Sequence, residues 1–267
     1  MKKGAKFLFL ILAVIYFLSA AGLYFFQEEL LFHPVKLPAA FQFHFDVPYQ
    51  EVNFKLKDGG TINAIWFRCN RPKGAVLLLH GNSGNISQAD QLAARITGRG
   101  YDCLIPDYPG YGKSTGTLNE ASLFETAEVA YDFLRKTWPS DHIAIYGRSL
   151  GTGIATYQAR KAGWCKALIL EAPYSSIINV AAERYRWFPV RWLCRYKLLT
   201  GSYLKNVICP IFAIHGTADE VIPISESKAL EALHLNNFHL LVVEGGGHNN
   251  LPNSPQYQQL MDSVLTP

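Results

Sequence analysis

Residues 142–163 read HIAIYGRSLGTGIATYQARKAG: an apolar strand, a turn that holds one serine between two glycines, and a helix. The spacing Gly147-x-Ser149-x-Gly151 is common by chance and gains meaning only between a strand and a helix, which is its setting here. In so tight a turn the serine takes a strained backbone conformation. Its hydroxyl stands above the strand end near a helix N-terminus, where an anion is favoured. Gly147 and Gly151 let strand and helix approach without side-chain clash. A serine hydroxyl is a poor nucleophile until a base takes its proton, so the meaning of Ser149 depends on the rest of the chain.

Short apolar runs recur on either side: GAVLLLH (74–80), YDCLIPD (101–107), CKALILEA (165–172), CPIFAIHG (209–216) and HLLVVEG (239–245). Near-continuous apolar strands are buried on both faces. Helical patterns lie between them at about 87–98, 121–136, 149–162, 225–233 and 255–265. The alternation predicts an α/β domain with a mostly parallel sheet. VNFKL and INAIWF flank KDGG and predict a hairpin from about Glu51 to Phe67. Residues 174–205 separate two strands by far more than the roughly two to six residues usual in such units, which predicts a helical insertion over the top of the sheet. There Tyr185, Trp187, Phe188, Trp192 and Tyr196 interleave with Arg184, Arg186, Arg191, Arg195 and Lys197. Such a mixture suits lipid headgroups; the alternative is a lid with its aromatics on the core and its arginines in water.

Ligands of open α/β sheets bind beyond the carboxyl ends of the strands, so a base and an acid for Ser149 belong on loops after later strands. Asp219 follows CPIFAIHG and His248 follows HLLVVEG, in the order serine, aspartate, histidine. In these roles His248 takes the serine proton and returns it to the leaving group, while Asp219 fixes the imidazole tautomer. Gly245 to Gly247 free the loop to bring His248 inward. Glu220 adjoins Asp219 but points elsewhere, and Glu171, at a strand end, is a rival acid ranked below Asp219. His80, His142 and His215 belong to strands or their ends as packing or hydrogen-bonding residues; His33, His44, His234 and His239 have no motif around them. An oxyanion needs two donors. The backbone N–H of Leu150 is one, and that of Asn82 in HGNSGN is the other, with Ser83 as second choice.

LLLHGNSGN, IPDYPGYGKSTG, YGRSLGTG, AIHGTADEVIP and GGGHNN, in this order, resemble a membrane-anchored branch of the serine α/β-hydrolases. The chain is similar there to the Bem-type and abhydrolase-domain proteins, which include protein depalmitoylases and lysophospholipid lipases. The resemblance runs from about residue 30 to the C-terminus. It implies the α/β-hydrolase fold with an eight-stranded sheet and a triad of Ser149, Asp219 and His248. Branches of this family cleave thioesters, lipid esters or peptides. EAPYSSI (171–177) stands where relatives often carry an Asn-Thr-Phe-like run, so the pocket wall differs here, and Asp107 and Tyr108 fall in a structural loop beside the site. The expectation is a serine hydrolase cleaving an ester or thioester of an acyl-lipid or acylated substrate. A peptidase or amidase on the same triad and a silent binding protein that kept the fold stay open. A serine at the elbow argues against dehalogenases and epoxide hydrolases, which use a carboxylate there. No H-E-x-x-H spacing points to zinc, and neither metal nor cofactor is expected.

The chain has 267 residues, 49% hydrophobic and 17% charged, which excludes a disordered or collagen-like polymer. Its net charge of +4 lacks a basic stripe, so nucleic acid is not an expected partner. Phe7 to Phe26 is a run of twenty residues without a formal charge, long enough as a helix to cross a bilayer core of roughly 30 Å. Ser19-Ala20-Ala21 would suit cleavage as a signal peptide, but Leu23 to Phe26 carry the apolar run past that point and favour an uncleaved anchor. Lys2, Lys3 and Lys6 before the run, against Glu28 and Glu29 after it, place the N-terminus in the cytoplasm and the body outside. The five cysteines, odd in number and widely spaced, weigh weakly against that side and form neither a metal site nor a disulfide framework. The expected division is an anchor over 1–26, a connecting segment over 27–50 that wraps the domain edge, and a hydrolase domain over 51–267. Oligomeric state is left open.

Overall fold

A computed structural model describes residues 3–265. Lys2, the side chain of Lys3, and residues 266–267 at the end of the expected hydrolase domain lie outside the described residues.

The predicted hairpin consists of β1 (Tyr49–Lys55) and β2 (Thr61–Phe67), paired antiparallel, with Gly59 at positive φ in the turn. Six further strands follow: β3 (Ala75–Leu79), β4 (Asp102–Pro106), β5 (Ile143–Arg148), β6 (Ala167–Glu171), β7 (Ile211–Gly216) and β8 (Phe238–Val243). They form one sheet in the order β8-β7-β6-β5-β3-β4-β2-β1, parallel from β8 to β4. Every residue of β3, β4 and β6 is buried, because helices cover both faces and leave two apolar cores. The chain leaves β3 toward β4 on one side and enters β5 on the other, so the loops after β3 and β5 open a crevice at this switch point.

The surrounding helices are α1 (Lys3–Phe25), α2 (Gln27–Leu31), α3 (Asp90–Thr97), α4 (Glu120–Arg135), α5 (Gly151–Ala162), α6 (Ile177–Arg184), α7 (Val190–Leu193), α8 (Thr200–Leu204), α9 (Ile224–Glu231) and α10 (Pro255–Leu265). The stretch Gly4–Phe25 is long and apolar enough to cross a membrane, and none of the residues of its most apolar window is buried. The insertion is helical, built from α6, α7 and α8. Its aromatics divide, with Tyr196 buried while Trp187 and Trp192 are 75% and 87% exposed.

The segment after the anchor begins over the loop after β3: Gln27 and Phe32 are buried, and His33–Pro34 pairs in parallel with Ser83–Gly84. Cys165 and Cys209, far apart in sequence, precede neighbouring parallel strands, which brings their sulfurs to 2.8 Å as free thiols.

Candidate active site

β5 delivers Ser149 at φ +51, in the left-handed region that a residue with a Cβ seldom adopts, at a cost of about 1–3 kcal/mol. Bonds on both sides hold it there. Its N–H donates to the Glu171 carbonyl (2.9 Å), and its carbonyl accepts from the Thr152 N–H (2.9 Å) and hydroxyl (2.7 Å). A Cβ on Gly151 would lie 2.0 Å from the Leu79 carbonyl oxygen, and one on Gly147 would lie 2.5 Å from that of Gly151. Only glycine fits at either position.

His248 Nε2 lies 3.0 Å from Ser149 Oγ, and its Nδ1 lies 2.8 Å from Asp219 Oδ2. The loops after β5, β7 and β8 thus bring the three sequence-predicted side chains into one hydrogen-bonded chain. The His248 loop can turn inward because Gly216 and Gly246 are in near contact: a Cβ on Gly216 would meet the Gly246 oxygen at 2.0 Å. The Gly247 N–H donates to Asn250 Oδ1 (2.8 Å), and an Arg148 Nη donates to Asn249 Oδ1 (2.9 Å), tying this loop to the residue before Ser149.

Asp219 is fully engaged. Its Oδ1 accepts from the backbone N–H groups of Val221 and Ile222, both at 2.8 Å. Its Oδ2 lies 3.2 Å from His215 Nε2 as well as beside His248. Burial pushes this carboxyl up, but the hydrogen bonds from His215, His248 and Ile222 outweigh it and hold the group well below the ordinary aspartate range. His215, expected as a packing or hydrogen-bonding residue, also reaches the acid. Fully buried, it lies 2.8 Å from the Ile222 carbonyl through the same Nε2 and bonds the Ser227 hydroxyl through Nδ1. A carbonyl only accepts, so the proton sits on Nε2 and points at Asp219 too. The available signal was position: His215 ends β7 four residues before Asp219.

The rival acid is occupied elsewhere. Glu171 is fully buried, accepts from the Tyr146 hydroxyl and pairs with Arg148 Nε at 3.1 Å. Burial raises its carboxyl despite Arg148. Glu220 is exposed.

Asn82 and Leu150 line one cavity of about 520 Å³ with Ser149. A Cβ on Gly81 would stand 3.6 Å from the Ser149 Cβ, so this loop borders the serine closely. The Asn82 carbonyl accepts from the His33 N–H (2.8 Å) and the Tyr111 hydroxyl (2.7 Å), and its side-chain amide donates to the Leu31 carbonyl (3.0 Å). Tyr108 donates to the His80 carbonyl (2.8 Å), and Asp107 accepts from the Ile86 N–H (3.1 Å), so the DYPGYG loop braces the loop after β3. Ser83 is exposed and paired with His33, away from the cavity. His33 itself lines the cavity, a position nothing in its local sequence signals. Tyr174, in the EAPYSSI run, also lines it and donates to the Leu150 carbonyl at 2.9 Å. Among the described residues no group of three or more His, Cys, Asp and Glu side chains is placed to hold a metal ion.

This serine-bearing turn on a switch-point crevice defines a class, and the chain belongs to the α/β hydrolase fold family, whose model matches residues 74–208. It is 33% identical over 178 residues to an uncharacterized protein of Mycobacterium tuberculosis, across 66% of this chain and 63% of that one. The match therefore spans less than two thirds of that relative's length. It is 30% identical to alpha/beta hydrolase domain-containing protein 17B of Xenopus tropicalis, across 78% of this chain and 72% of that one. In fold it is similar to an esterase of Pyrococcus furiosus, with a TM-score of 0.70 and 16% identity, over 88% of this chain and 97% of the other.

Proposed function

We propose that the protein is a serine hydrolase that cleaves carboxylic ester or thioester bonds through an acyl-enzyme on Ser149, anchored in a bilayer by α1 with its N-terminus in the cytoplasm. The observation that carries this is the unbroken chain from Ser149 Oγ to His248 Nε2 (3.0 Å) and from Nδ1 to Asp219 Oδ2 (2.8 Å), at a cavity lined mainly by apolar side chains. As Ser149 Oγ attacks the carbonyl carbon, His248 Nε2 takes its proton, and Asp219 stabilises the imidazolium. The backbone N–H groups of Leu150 and Asn82 receive the negative oxygen. The carbon–heteroatom bond then breaks, His248 gives its proton to the departing alcohol or thiol, and the acyl group remains on Oγ. Water, deprotonated by His248, releases it as a carboxylic acid and restores the serine. Each oxyanion donor contributes about 10²- to 10³-fold in turnover.

A panel of p-nitrophenyl esters, acyl-thioesters and peptide amides tests the assignment. Wild type is expected to turn over esters and thioesters, and Ser149→Ala to leave only background. Turnover confined to amides, or undiminished in Ser149→Ala, contradicts it.

A further inference from the structure

We propose that the cavity beside Ser149 seats one long acyl chain of a membrane-resident ester, that α1 and α2 form a wall of that seat, and that the chain enters sideways from the bilayer along α1. This substrate class rests on the hydrolase reading above. Leu23 at the end of α1 and Leu30 and Leu31 of α2 line this cavity together with Ile177 and Val190 of the insertion. A second, open groove of about 410 Å³ shares Leu23, Leu30 and Tyr185 with the first cavity and continues along α1 past Gly22 to Ser19, with Glu29 its one charged lining residue. Ser19 and Gly22 are three residues apart, hence on one helix face, and their small size keeps that face open. The cavity and the groove make a mainly apolar path from the serine to the exposed surface of the apolar helix.

The wall is fixed in place. Gln27 is buried; its side-chain oxygen accepts from the Arg195 N–H (2.7 Å), and its amide donates to the Tyr24 (2.7 Å) and Leu193 (3.3 Å) carbonyls. Arg195 pairs with Glu28 at 3.0 Å. Further along α1, Tyr16 stacks on Phe188 at 5.1 Å and donates to the Trp187 carbonyl (3.1 Å). Tyr16 stands roughly 13 Å before Phe25 at about 1.5 Å per residue, so the tip of the insertion climbs beside the apolar span. Trp187 and Trp192 of the insertion are exposed. With α1 in a bilayer, the groove opens at the depth of lipid chains. A single acyl chain is the occupant that matches both an apolar bore and an opening onto lipid; a soluble ester or a peptide matches neither. The same wall reaches the chemistry directly, because the Leu31 carbonyl and the His33 N–H both bond Asn82.

The test uses the full chain in phosphatidylcholine vesicles and a hexadecyl fluorophosphonate with a diazirine at the chain tip. The expected result is a phosphonyl adduct on Ser149 and a photo-crosslink from the tip to residues 16–30 or 177–193. An adduct on Ser149 with the tip mapped elsewhere overturns the acyl seat and leaves the hydrolase reading standing, whereas no adduct on Ser149 removes both. Long-chain p-nitrophenyl ester placed in the same vesicles as the protein should react at least about tenfold faster than the ester in separate vesicles, because sharing a bilayer raises the effective concentration. Equal rates overturn entry from the bilayer.

Discussion

Asp219→Asn isolates what the carboxylate does. Both oxygens of Asp219 face donors: two backbone N–H groups at Oδ1, and the Nδ1 of His248 with the Nε2 of His215 at Oδ2. An amide has one oxygen, so either orientation turns its NH2 toward one of these pairs. The backbone pair is fixed, so the amide oxygen stays with Val221 and Ile222 and the NH2 meets His248. His248 then keeps its proton on Nε2 and donates to Ser149 Oγ instead of accepting from it. A wrong tautomer of this kind costs about 10⁴ in turnover, which at about 1.36 kcal/mol per decade is about 5 kcal/mol of transition-state stabilisation. The assay is kcat and KM for a p-nitrophenyl ester, with thermal melting to verify the fold. The drop should fall on kcat, with KM little changed. A folded Asp219→Asn variant within tenfold of wild type would refute the assignment of Asp219 as the tautomer-fixing acid.

The same variant has an acid signature. The Asp219 carboxyl titrates below its ordinary value of about 3.9, so its stabilisation is complete above that range and is lost as pH falls through the lower folded value. Melting temperatures of wild type and Asp219→Asn should differ at neutral pH and converge in acid; a constant gap would contradict this. Gly151→Ala forces a Cβ to within 2.0 Å of the Leu79 carbonyl oxygen. It should cost at least about 3 kcal/mol and lower Tm by roughly 6–12 °C, by differential scanning fluorimetry. His215→Leu strands the Ile222 carbonyl, leaves the Ser227 hydroxyl only the Pro173 carbonyl at 3.3 Å, and takes one partner from Asp219; it should destabilise by about 2 kcal/mol or more and lower kcat more than it raises KM.

What was legible in the sequence was what local pattern encodes. The strand, turn and helix around Ser149, the buried runs of β3 to β6 and the glycines before His248 each reflect a constraint that a few neighbouring residues express. The order of Asp219 and His248 followed once strands and loops were placed, since every parallel strand presents its carboxyl end to one rim. Contacts between distant segments were not legible. Residues 27–35 show no period, and their path across the site comes from the pairing of His33–Pro34 with Ser83–Gly84 and from the buried amide of Gln27. His215 looks like any strand-end histidine until the turn through Ile222 brings its Nε2 to Asp219. Cys165 and Cys209 meet only because β6 and β7 are neighbours in the sheet.

Everything chemical depends on Ser149 being activated by the imidazole across 3.0 Å. The most direct measurement is labelling of folded full-length protein with a small fluorophosphonate, with the adduct mapped by peptide mass spectrometry. Modification of Ser149 in wild type, strongly slowed in His248→Ala and absent in Ser149→Ala, is the predicted result. Folded wild type that takes up no label, or that carries it on another residue, would contradict it.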